Sequence, residues 1–209
     1  MALLCTCPNA TAIAKITDFT CPEDLGQIQK IIFQRLKTSA GVANEFASEP
    51  KLLAAWTAVL AAADSTKVVI TPYINAPVAP AGAAITQGSG NEVLGGIPLV
   101  VGREATNFSC NIKGAPQSTT IVEMKKLQCE INNLGVYFVT QSGAIVMQLV
   151  GGKYRPFEAK SFFVGDKNMG GYSEIDMNNV QFSLLPNWSD TLVVVKPTDF
   201  NPLTDIVNA

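Results

Sequence analysis

The sequence predicts an α+β chain, mostly antiparallel β in a sandwich or barrel-like sheet, with about two flanking helices and long arms and loops. Three observations lead there. About eight segments carry the β-branched and aromatic content of strands, and turn residues separate most neighbours. No strand–helix–strand rhythm of the kind that builds parallel sheets is present. Only two segments space their apolar residues as a helix does.

In chain order, residues 1–23 read as an N-terminal arm rich in Thr, Cys and Ala, ending in the turn-like Cys21-Pro22-Glu23-Asp24. Gly26 to Leu36 reads as the first strand, and its Ile31-Ile32-Phe33 run predicts burial on both faces. From Glu49 to Asp64 the spacing predicts a helix, with Ser48 as N-cap and Pro50 in the first turn, where a missing N–H is harmless. At 100° per residue, Leu52, Leu53, Trp56, Val59, Leu60 and Ala63 fall on one side. The other side is Ala54, Ala55, Ala58, Ala61 and Ala62, and a helix apolar all round is normally buried all round. Alanine is also the best helix former and can face water.

Lys67 to Ile74 reads as a strand, and residues 75–92 as a long loop rich in Ala, Pro and Gly. Loops of that length are uncommon in compact domains unless they serve a function. This one is apolar, so a projecting arm or hairpin that orders against a neighbour is expected. Strands follow at Ile97–Val101 and Asn107–Ile112, then a helix over Gln117–Asn132, with Ile121, Met124, Leu127 and Ile131 inward. Thr120 and Glu123 have capping-box spacing. Gly135–Thr140 and Ala144–Val150 form the clearest hairpin, turning at Gln141-Ser142-Gly143. Strands at Ser161–Val164, Val180–Leu185 and Thr191–Lys196 complete a single β-rich domain over 24–196, and 197–209 reads as a tail.

Charge is scarce. Lys and Arg number 15 and Asp and Glu 17, together 15% of the 209 residues, against roughly a quarter in ordinary soluble domains. Hydrophobic residues reach 47%, yet no run approaches the ~20 apolar residues of a membrane span. A chain so short of charge is expected to cover part of its surface with other chains. The formal net charge of −2 gives no reason to expect sequence-specific nucleic-acid binding. Met1-Ala2-Leu3-Leu4-Cys5 looks superficially like a lipoprotein cleavage site but has no basic or long apolar stretch before it, so cytoplasmic synthesis is expected.

No catalytic, cofactor or metal site is predicted. Histidine is absent, which removes Ser–His–Asp and Cys–His nucleophile systems unless another base substitutes. Cys5, Cys7, Cys21, Cys110 and Cys129 contain no C-x-x-C and read as free thiols. Asp166 to Gly171 has a partial calcium-loop pattern, but Met177 stands where a bidentate Glu is needed, so a glycine turn is expected. Gly88-Ser89-Gly90 neither follows a strand nor opens a helix, so it is no phosphate loop. Glu158, Asp166, Glu174 and Asp176 are the densest carboxylates and read as solvated loop charges. Trp188 reads either as packing over a sheet edge or as an exposed anchor.

Three stretches carry a resemblance to a known class. They are Cys21-Pro22 with Gly26-Gln27-Ile28-Gln29-Lys30; the helix 117–131 passing into Val136-Tyr137-Phe138-Val139; and Gly170-Gly171, then Phe182 to Asp190, closing on Lys196-Pro197-Thr198-Asp199-Phe200-Asn201-Pro202. In these the chain resembles small virion structural proteins of tailed bacteriophages, tail-tube or neck-ring subunits among them. The resemblance implies a non-enzymatic, strand-rich subunit that self-associates into a ring or tube and contacts other virion proteins. It also implies a place in the virion after synthesis in the bacterial host cytoplasm. Expected interface residues are Ala54, Ala58 and Ala61 on the helix, Pro77, Val78 and Pro80 in the long loop, and Trp188. The alternatives are a head accessory or fibre protein, or a carbohydrate- or surface-binding module using Trp188 and Tyr172.

Overall fold

Every residue from Leu134 to Thr140 is buried, because this strand has a packed layer on each of its faces. The computed structural model describes residues 15–18, 25–130 and 132–208. Its strands are β1 (Ile28–Arg35), β2 (Val68–Ile70), β3 (Asn75–Val78), β4 (Ala84–Gln87), β5 (Leu99–Arg103) and β6 (Thr106–Lys113). They continue as β7 (Leu134–Thr140), β8 (Ile145–Val150), β9 (Lys153–Arg155), β10 (Phe157–Asn168), β11 (Met177–Leu184) and β12 (Leu192–Val195). Helix α1 is Leu53–Leu60 and α2 is Val122–Lys126. All the pairings are antiparallel, so the chain is α+β and mostly antiparallel β, as the sequence predicts.

The pleat explains how one strand serves two cores. β1 lies against β7 with Ile31 opposite Phe138, Ile32 opposite Tyr137 and Phe33 opposite Val136. Side chains alternate between faces. Ile31, Phe33, Val136 and Phe138 therefore face one cluster, with Phe108, Cys110, Val180 and Phe182 from the β6–β11 sheet. Ile32, Tyr137 and Val139 face a second cluster with Trp56, Leu60, Val68, Val195 and Ile206. Three layers result: helix α1 with the C-terminal segment, the sheet around β7, and the sheet β10–β11–β6–β3. β10 ties the two sheets together. Phe157 and Glu158 pair with β7, and from Ala159 onward the strand pairs with β11. The change coincides with a register slip between Lys160 and Phe163, where Ser161 takes φ 53°. A bulge of this kind lets a strand turn a corner between sheets.

The sandwich interior is aromatic. Phe108 stacks on Phe182 with centroids 4.8 Å apart, and Phe33 meets Phe162 edge-on at 5.1 Å. Burying each such ring contributes about 1.5–3 kcal/mol. The one buried phenol, Tyr137, donates to Gln34 Oε1 at 2.7 Å, and Gln34 Nε2 in turn donates to the Thr66 carbonyl at 2.8 Å. Its hydroxyl is thus satisfied in the core.

Several expectations need correction. The first helix is Leu53–Leu60, shorter than 49–64, and Ser48 does not cap it. Instead the Leu53 N–H donates to Asp199 Oδ1 at 2.9 Å, across 146 positions of chain. Pro50 precedes the helix, and its carbonyl accepts the Trp56 indole N–H at 3.0 Å. Leu52 is exposed, while Trp56 and Leu60 are the buried residues of the helix. The second helical run begins with a π turn at Gln117–Ile121 and ends in a 3-10 turn at Leu127–Cys129. Pro116 is its N-cap, so no Thr120 capping box forms, while Ile121 and Met124 point inward as expected. Ile131 lies outside the described residues.

The strand expected at 67–74 stops at Ile70, because the chain crosses there from the β7 sheet to the other sheet as β3. Residues 197–208 are packed rather than trailing. Ile206 is fully buried, Phe200 and Leu203 pack on the same cluster, and the Asn208 side chain bonds both the amide and the carbonyl of Ile70 at 2.8 Å. The arm 1–23 lies outside the described residues except for 15–18.

Candidate assembly surfaces

Residues 75–92 contain two strands, and this is the main correction to the sequence reading. β3 pairs with β6, Asn75 opposite Asn111 and Val78 opposite Ser109. Past Val78 the chain continues outward, and β4 pairs with β5 from Ala84 opposite Arg103 to Gln87 opposite Leu99. Between the two ladders Glu104 N–H donates to the Ala83 carbonyl at 2.8 Å. Residues 75–87 and 99–113 therefore form one two-stranded ribbon. Its inner half belongs to the sandwich, and its outer half pairs only with itself. Gly82 lets the two legs close, since a Cβ there would sit 2.5 Å from the Glu104 carbonyl oxygen.

The outer half is apolar and wet. Ile85, Leu94, Ile97, Leu99, Val100 and Val101 are all exposed, Leu94 completely. From Ala79 to Gly102 the single charged residue is Glu92. An isolated two-stranded hairpin is marginal in water. An exposed apolar strand pair is also a ready surface for another chain.

The other expected interface residues divide. Ala54, Ala58 and Ala61 are exposed along α1, beside exposed Leu52. Val78 and Pro80 are exposed and Pro77 is half-buried, all at the base of the ribbon. Trp188 is not a surface anchor. Its ring meets Phe157 edge-on at 5.3 Å against the sandwich core, and its indole N–H donates to Thr106 Oγ1 at 3.1 Å. Trp188 is half-buried, in agreement with the sheet-edge packing reading.

The sugar-platform alternative loses its geometry with it. Trp188 sits where Leu184 pairs with Thr106, while Tyr172 lies in the turn beyond Met177, which pairs with Lys113. These are opposite ends of an eight-residue ladder, roughly 24 Å apart at ~3.4 Å per residue. That turn, 169–176, exposes Met169, Tyr172 and Ile175.

The carboxylates do not gather into a site. Glu158 stands near the start of β10, paired with Lys160 Nζ at 2.5 Å. Asp166, toward its far end, pairs with Lys125 at 2.6 Å, which holds its carboxyl below the usual range by hydrogen bond and charge. Asp176 Oδ1 accepts the Gly170 N–H within the turn. Among the described residues no group of three or more His, Cys, Asp or Glu side chains is placed to hold a metal ion. Cys110 is buried and Cys129 exposed, both as free thiols, while Cys5, Cys7 and Cys21 lie outside the described residues. Among the described residues no helix is long and apolar enough to cross a membrane.

Sequence reasoning found the segment's apolarity and offered a hairpin or an arm, but placed no strands within 75–92 and so missed the β4–β5 register. The available signal was the apolar run Leu99-Val100-Val101, separated from Ala84–Gln87 by the glycine-rich stretch 88–98. Compared with known proteins, the chain matches no family model, no curated protein and no solved structure.

Proposed function

We propose that this chain is a non-enzymatic structural subunit that self-associates, its outer ribbon 79–103 lying against another copy. One observation carries the reading: a β-ribbon whose apolar side chains stay exposed among the described residues. A standard protein interface employs roughly 20–30 residues a side, the size of this excursion. In this reading the ribbon meets a different patch of the next copy, a heterologous contact that repeats around a ring or along a tube. The likeness in sequence to tailed-phage virion proteins would put such a ring or tube in a phage tail or neck, with other virion proteins as further partners. The exposed alanine side of α1 is a second, smaller contact in this reading.

The ribbon can be removed without cutting the core. Ala83 and Glu104 are already hydrogen-bonded neighbours, so an Asn-Gly turn can replace residues 84–103. Light scattering after size-exclusion chromatography is expected to show particles of several hundred kilodaltons for the full chain and a folded monomer for the variant. A full chain that stays monomeric at high micromolar concentration, or a variant that assembles equally well, would contradict the proposal.

A further inference from the structure

Resting on that reading, we infer that the ribbon tip of one copy seats in the groove between β2, α2 and the C-terminal segment of the next copy. The groove has a volume of about 560 Å³. Its apolar lining includes Val69 on β2, Met124 on α2 and Val207 of the C-terminal segment. Lys30 and Lys67 stand in it against one carboxylate, Glu123.

Shape, charge and direction select the occupant. The turn 169–176 is another exposed apolar projection, but two convex tips cannot enclose each other. Another open hollow, of about 500 Å³, is lined by Thr38, Ser39, Asn132 and Asn133, a polar wall unsuited to Leu94 and Ile97. The tip's one charge is the carboxylate of Glu92, the opposite sign to the groove's excess of lysine. Lys30 Nζ donates to the Leu203 carbonyl at 2.7 Å and lies 4.6 Å from the centre of the Tyr73 ring.

Direction excludes the ribbon's own groove. The chain forms the groove wall at Thr71–Pro72, runs through β3, and leaves the other end of β3 as the ribbon. Each copy thus offers a tip at one end and a receptor at the other, and the contact propagates from copy to copy.

The test places a photoreactive benzoylphenylalanine at Leu94, a fully exposed position, in the otherwise intact chain, and maps inter-copy cross-links by mass spectrometry. Cross-links to residues 67–72, 120–127 or 206–208 of a second copy are the expected result. Cross-links between copies that fall elsewhere would overturn the groove while leaving self-association standing. No inter-copy cross-link from a chain that is monomeric by light scattering would overturn both. A second variant, Val207→Arg at an exposed rim position, is expected to weaken assembly at least tenfold with unchanged monomer folding. Undiminished assembly of that variant would also overturn the groove.

Discussion

Leu134–Thr140 and the Leu99–Val101 stretch of the ribbon are alike in sequence and opposite in fate. The first reads Leu-Gly-Val-Tyr-Phe-Val-Thr and is buried throughout. The second, Leu-Val-Val, is 43–64% exposed on β5. The difference lies in what the chain brings to each. β7 has β1 along one side, β8 and β10 along the other, and a packed layer above and below. Among the described residues β5 has one partner strand, β4, and no packed layer that buries either face. Apolar composition states how much surface a strand would gain by being covered. Which chain supplies the cover is a separate fact, and for the ribbon no described residue of its own chain does so fully.

The comparison can be broken first by truncating one ring and one aliphatic side chain. Phe138→Ala removes a ring at 2% exposure that faces Phe108, Phe157, Phe182 and Trp188. A loss of about 3–5 kcal/mol in urea unfolding is expected. Leu99→Ala is expected to change monomer unfolding by less than ~0.5 kcal/mol but to reduce the assembled fraction in light scattering. Equal effects of the two on monomer stability would mean that the ribbon belongs to the core.

A glycine pair sharpens it next. A Cβ at Gly135 would lie 2.6 Å from Pro156 Cγ and 2.9 Å from Leu36 Cδ2. Gly135→Ala therefore overpacks the interior and should cost about 1–3 kcal/mol. Gly82→Ala pushes on the Glu104 carbonyl at the ribbon base instead. It should spare the core's melting and weaken assembly, measured by calorimetry and sedimentation on the same samples.

At neutral pH the smallest effect is that of the thiols, which appears only in alkali. Burial pushes the Cys110 thiol up to about 12, while Cys129 is exposed. Below the unfolded thiol's pKa of ~8.5 both states keep the proton and Cys110 contributes nothing. Above it the unfolded chain releases a proton that the folded chain holds, so stability falls by about 1.4 kcal/mol per pH unit. Iodoacetamide should label Cys129 at pH 8 and leave Cys110 untouched until the fold opens. Rapid labelling of both would place Cys110 outside the core.

The strands with local signals were legible. The Ile31-Ile32-Phe33 run announced burial on both faces, and Gln141-Ser142-Gly143 announced its hairpin, where Gly143 takes φ 75°. Features set by distant chain were not. Helix α1 starts at Leu53 because Asp199 meets its first N–H, and no local pattern around Ser48 contains that carboxylate. The segment after Pro197 looked like a tail because its anchors, Ile206 and Asn208, find their partners near Ile70. Trp188 could be read as sheet-edge packing or as an exposed anchor, and only the distant partners Thr106 and Phe157 decide for packing. The ribbon was half legible: its composition told of exposure, while its pairing spans a tip of Gly88 to Pro98 whose glycine turns hide the register.

Hydrogen exchange of the tip amides, Gly88 to Val101, followed across a hundredfold range of protein concentration, tests the central claim most directly. Exchange that slows as concentration rises, while β7 amides stay unchanged, is the result expected of a ribbon covered by another copy. Tip exchange that stays fast and flat across the whole range would contradict it.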